Sequence, residues 1–151
     1  MSIGILDNCI YVYARENVNC YDLLTRKVKH TFPTKSETNV VCATINQVNR
    51  TLILVGINNI LIYSENGDLI KSFERKQKEE NTYCVNQSVT TNPFNSNIVV
   101  ADDAGIIIYT IEGTMLLEIQ RPNIDSLVID PTTQKLFGIN RRKILVFEPV
   151  F

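Results

Sequence analysis

Short apolar runs alternate with short polar runs along the chain, and no stretch carries the spacing of an amphipathic helix. The pattern is clearest over residues 97–119. There the runs Ile98-Val99-Val100-Ala101, Ile106-Ile107-Ile108-Tyr109 and Met115-Leu116-Leu117-Glu118-Ile119 are separated by Asp102-Asp103-Ala104-Gly105 and Glu112-Gly113-Thr114. Ile, Val and Tyr favour extended backbone, whereas Asp and Gly tolerate the conformations of tight turns. This stretch predicts a three-stranded antiparallel meander.

The pattern recurs. Each copy has an aromatic residue in its third predicted strand, at Tyr21, Tyr63, Tyr109 and Phe147, so the copies are 42, 46 and 38 residues apart. Three positions before these anchors stand Val18, Ile60, Ile106 and Ile144, and one before stand Cys20, Ile62, Ile108 and Val146. Eleven before stand Ile10, Leu52, Ile98 and Leu136, and eighteen before stand Ile3, Ile45, Thr91 and Ile129. The columns predict four repeats, near residues 2–32, 39–73, 83–120 and 124–151, aligned without a gap as one domain over 1–151. Pro33 should end the last strand of the first repeat, since it lacks an N–H donor. The polar run 74–82 between the second and third repeats reads as a solvated loop.

Antiparallel units of about forty residues with four strands each suggest the blades of a β-propeller. The repeat resembles the WD40 and NHL families. Cys20-Tyr21-Asp22 stands where a WD40 blade has Trp-Asp, while Tyr63-Ser64, Tyr109-Thr110 and Phe147-Glu148 depart from that dipeptide. Val99-Val100-Ala101-Asp102, Ile106-Ile107-Ile108-Tyr109 and Glu112-Gly113 are more similar to an NHL blade. The resemblance implies an all-β chain of four propeller-like blades. Outer strands end near Phe32, Phe73 and Ile119, ten or eleven residues past their anchors, and the fourth repeat stops short of that place. The last blade should therefore lack its outer strand, leaving a small ring, a partial propeller, or one that another chain completes.

Composition narrows the function classes. A formal net charge of −1 gives no global field for nucleic acid or anionic lipid. No apolar run is long enough to span a membrane, and Met1-Ser2-Ile3-Gly4 lacks the basic and apolar segments of a signal peptide. The expected location is the cytoplasm, with the nucleus as the alternative. Cys9, Cys20, Cys42 and Cys84 have no metal-binding spacing and read as buried thiols. His30 is the one histidine, and no hydrolase, zincin or phosphate-loop motif occurs, so no catalytic residue, metal or cofactor is assigned. Asp102-Asp103 reads as a solvated turn. One loop face is expected to carry Arg15, Lys35, Arg75, Lys76, Lys78, Arg121, Arg141, Arg142 and Lys143 against Glu16, Glu37, Glu74, Glu79, Glu80, Asp102 and Asp103, a mixed face rather than an electrostatic funnel for phosphates.

The expectation is a non-enzymatic protein–protein interaction scaffold, completed by a partner chain or by self-association. Its contact is placed at the edge strand Lys143, Ile144, Leu145, Val146 and Phe147, with the adjoining basic turn Arg141-Arg142 and the tail to Phe151. The alternative is an NHL-like RNA-binding module using the basic loops.

Overall fold

The computed structural model describes residues 1–35, 39–76, 87–102, 105–120 and 124–148. Among these residues there are fifteen β-strands and no helix, hence no helix able to cross a membrane. The polar run 74–82 lies outside the described residues beyond Lys76, as do Cys84, Asp103, Arg121 and residues 149–151.

Four antiparallel sheets follow one another in chain order. Sheet 1 comprises β1 (Ser2–Leu6), β2 (Cys9–Ala14), β3 (Asn17–Asp22) and β4 (Val28–Pro33). Sheet 2 comprises β5 (Val40–Asn46), β6 (Thr51–Gly56), β7 (Asn59–Ser64) and β8 (Leu69–Glu74). Sheet 3 comprises β9 (Ser88–Thr91), β10 (Ile98–Ala101), β11 (Gly105–Tyr109) and β12 (Met115–Gln120). Sheet 4 has three strands among the described residues: β13 (Ser126–Ile129), β14 (Leu136–Asn140) and β15 (Lys143–Phe147). Pro33 is the last residue of β4, paired with Asn17. An edge strand tolerates it there because its missing N–H faces no further strand.

The chain divides into two compact units, Met1–Gln77 with sheets 1 and 2 and Lys78–Phe151 with sheets 3 and 4. Each unit has its own core, and the two cores use the same repeat positions. In the first, Tyr11, Val18 and Cys20 of sheet 1 join Leu52, Leu54, Leu61 and Tyr63 of sheet 2. In the second, Val99, Ile106 and Ile108 of sheet 3 join Leu136 of sheet 4, with Leu145 and Phe147 packed against them. Successive residues of a strand point to opposite faces, so each sheet has two faces with different columns. We call the face of sheets 1 and 3 that meets the next sheet the leading face. The face of sheets 2 and 4 that meets it is the trailing face.

The turns repeat as well. β5–β6, β9–β10 and β13–β14 are joined by related loops that begin at Asn46, Asn92 and Asp130. The side-chain oxygens of these residues accept the amide N–H two residues on, from Val48, Phe94 and Thr132, at 3.0, 2.8 and 2.9 Å. Each loop closes through a residue at positive φ: Arg50 at 54°, Ser96 at 61° and Gln134 at 60°. Sheet 1 differs. Leu6 pairs directly with Cys9, so only Asp7 and Asn8 turn the chain. Consequently Ile5 is the partner of Ile10, in the place where Ile45 partners Leu52 and Ile129 partners Leu136. The gapless alignment that puts Ile3 in that column is thus corrected by the shorter turn.

Candidate interaction face

The residues assigned to partner contact lie in the hairpin β14–β15. Arg141 and Arg142 form its exposed turn. The Arg141 amide donates to Asp125 Oδ2 at 2.8 Å, and the Asp125 amide donates to Ile139 O at 2.7 Å, so a carboxylate is anchored beside the basic pair. Lys135 Nζ pairs with Glu148 Oε1 at 3.1 Å beyond the other end of β15.

The five residues of β15 do not form one surface. Leu145 and Phe147 are half-buried on the trailing face and pack on the core shared with sheet 3. Ile144 and Val146 point the other way. Strand pairing extends their face across the sheet in two rows, Val128–Phe137–Val146 and Ser126–Ile139–Ile144. This is the leading face of sheet 4. On it Ile144 is 71% exposed, Val128 54%, Val146 52% and Ile139 45%. In sheets 1 and 3 the same columns are closed by the next sheet of the same unit: Val18 and Ile106 correspond to Ile144, and Cys20 and Ile108 to Val146, and all four are essentially inaccessible.

Val128, Phe137 and Ile139 belong to this surface and were absent from the residues assigned from sequence. Their signal is nevertheless present. Leu127-Val128-Ile129 and Ile144-Leu145-Val146-Phe147 do not alternate with polar residues. A strand apolar on both sides is one meant to be covered on both sides.

Other candidates resolve differently. Arg75, expected on a solvated loop, is buried, and its Nη1 donates to Gly56 O at 3.1 Å. Asp102, expected on a solvated turn, is also buried, and its Oδ1 accepts the Gly105 amide at 3.2 Å. In both cases the loop backbone has buried polar groups that need partners, and the charged side chain supplies one. His30 is half-buried against Tyr11 and Phe32, and its Nε2–H donates to Glu65 O at 3.0 Å, since a carbonyl oxygen only accepts. Cys9, Cys20 and Cys42 are buried free thiols. Burial pushes the Cys20 thiol up to about 11 and Cys42 to about 12, which keeps both protonated and poorly nucleophilic near neutral pH. Among the described residues, no group of three or more His, Cys, Asp or Glu side chains is placed to hold a metal ion. No protein-family model matches this chain, and no curated protein matches it.

Proposed function

We propose that the four sheets are propeller-like blades and that the chain is a non-enzymatic interaction module whose binding surface is the leading face of sheet 4 with the edge of β15. The carrying observation is the contrast between Ile144 and Val146, which are exposed, and the residues in the same columns of sheets 1 and 3, which are sealed within their own units. A large contiguous apolar patch on a folded surface favours a partner. Covering it removes apolar area from water at roughly 25 cal/mol per Å². The outer edge of β15 adds backbone N–H and C=O groups that an incoming strand can satisfy.

The test is photo-crosslinking in the source cell, with a photoreactive amino acid at position 144 or 146 of the full chain and at the exposed position 112 as control. Discrete heavier adducts should form from 144 and 146 and not from 112. Adducts at neither position, or the same adducts at all three, would remove the reading.

A further inference from the structure

Sheet 1 departs from the repeat at two positions that meet. Where the other sheets place Ile62, Ile108 and Val146, sheet 1 has Cys20 on β3. Where they place Thr51, Asn97 and Lys135, it has Cys9 on β2. Cys20 pairs with Tyr11, and Cys9 with Asp22, so the two cysteines are diagonal neighbours on one face of the hairpin. Both belong to the core cluster of the first unit, and their side chains are hydrogen-bonded to each other. They are not equally accessible. Cys20 is fully enclosed, whereas Cys9, next to the exposed Asp7-Asn8 turn, keeps 8% of its surface.

A cation stands beside the outer sulfur. Cys20 pairs with His30 but Tyr21 with Val28, so β4 bulges against β3 and Lys29 is the extra residue. Its Nζ reaches across β3 to Cys9 Sγ at 4.0 Å. Sheets 2 and 3 bulge at the corresponding place, but their extra residues are Ile70 and Leu116. A bulge re-aims a side chain, and only the bulge of sheet 1 aims a charge at a thiol. A partly accessible sulfur beside an ammonium and a second thiol is the setting in which cysteine oxidation is selective.

We propose that Cys9 and Cys20 form a dithiol oxidised by hydrogen peroxide, with Cys9 the attacking sulfur and Cys20 the resolving one. In the first step Cys9 sulfur, as thiolate, attacks one peroxide oxygen. An S–O bond forms, the O–O bond breaks, and the departing hydroxide takes up the proton that Cys9 released and becomes water. The sulfur is oxidised to a sulfenic acid and the peroxide is reduced. Lys29 faces the negative charge as it passes from sulfur to the departing oxygen. In the second step Cys20 sulfur attacks Cys9 sulfur. The S–S bond forms, the S–O bond breaks, and hydroxide leaves with the Cys20 proton as a second water. Enclosed Cys20 is thus oxidised only through Cys9. Diagonal neighbours in a regular ladder have Cα atoms about 7–8 Å apart, beyond the roughly 4.4–6.8 Å that a disulfide spans. Closing the bond therefore distorts the hairpin, and a strained disulfide is readily returned to the dithiol by an external thiol.

Peptide mapping by mass tests this on the full chain. The reduced protein is exposed to hydrogen peroxide and its remaining thiols are alkylated. A Cys9–Cys20 disulfide should form before any change at buried Cys42, and dithiothreitol should remove it. Cys20→Ser should stop the reaction at a sulfenic acid on Cys9, captured by dimedone. Cys9→Ser should leave Cys20 reduced at the same dose. Lys29→Gln should slow the reaction about threefold, a modest factor because that ammonium is exposed. Oxidation of Cys20 in the Cys9→Ser variant would overturn the proposal. So would oxidation of Cys42 as fast as Cys9, or a wild type whose Cys9 is oxidised but joins another cysteine or none. These last two results come from the wild type and need no variant to fold.

Discussion

Gly67, in the turn between β7 and β8, lies directly against Phe32 on β4. A Cβ built on Gly67 would stand 2.7 Å from Phe32 Cβ, with the ring's Cγ closer still. Gly67 also has φ +98°, where side chains are strained. Phe32 cannot yield easily, since it is buried and its ring lies 5.7 Å from that of Tyr63. Gly67→Ala should therefore cost about 2 kcal/mol or more through overpacking and backbone strain. Chemical denaturation measures it. A cost near zero would show that sheets 1 and 2 are not pressed together at this turn.

Ile108 tests the core of the second unit. It is fully buried and faces Leu136 and Phe147 in a shared cluster. Ile108→Ala should lose about 2–5 kcal/mol, the usual cost of emptying a packed site. Leu116→Ala, on the exposed outer strand β12, should change stability by no more than about 0.5 kcal/mol. Equal losses from the two variants would mean that the face assigned to Ile108 is wrong.

The strands and their aromatic anchors were legible because two-residue alternation and turn chemistry are local properties. β10 and β15 match the expected runs Ile98–Ala101 and Lys143–Phe147, and β11 and β12 each gain one residue at an end. The columns through Val18, Ile60, Ile106 and Ile144 also hold as sheet positions. Local pattern does not reveal what lies beyond a face. Ile106 and Ile144 are equivalent in sequence, yet one is sealed and the other is bare. Turn length is similarly hidden. Asp7-Asn8 turns the chain within two residues, which moves Ile5 into the place that a gapless alignment gives to Ile3. Arg75 escaped because its partner, the Gly56 carbonyl, ends β6, two strands across the sheet from β8. The edge residues of β15 were recognised, but the face they share with Val128 and Ile139 required the pairing register.

Arg50 ties the two sheets of the first unit through their loops. Its Nη2 reaches Asp7 Oδ2 at 2.6 Å and Glu65 Oε2 at 2.7 Å. Hydrogen bonding and charge from Arg50 hold the Asp7 carboxyl below its ordinary value of 3.8. A carboxylate whose pKa is lowered by folding adds stability above its unfolded value, and that stability is lost as pH falls through the folded one. Arg50→Met should thus lower Tm near neutral pH, and the gap from wild type should narrow below about pH 4. High salt should narrow it as well, because the pair is exposed. A gap unchanged by acid and salt would assign the effect to packing of the arginine stem instead.

Asp130 distinguishes the fourth repeat's loop from its relatives at Asn46 and Asn92. All three residues accept an amide N–H two positions on, but only Asp130 can titrate. Thr133 Oγ1 donates to its Oδ2 at 2.6 Å, and the Thr132 amide donates to its Oδ1. Both bonds favour the charged carboxylate and hold its pKa below 3.8, with the Thr133 hydroxyl the larger cause. The sign is again that of a lowered carboxyl: the loop gains stability from Asp130 above the unfolded value and loses it in acid. The Thr132 amide resonance should therefore titrate with a midpoint below 3.8, while Val48 and Phe94 show no such step from their own loops. Asp130→Asn should keep the bond to Thr132, remove the step and leave the loop acid-resistant, as an asparagine already serves at positions 46 and 92. A Thr132 midpoint at or above the ordinary carboxyl value would mean that the turn does not hold its carboxylate in solution.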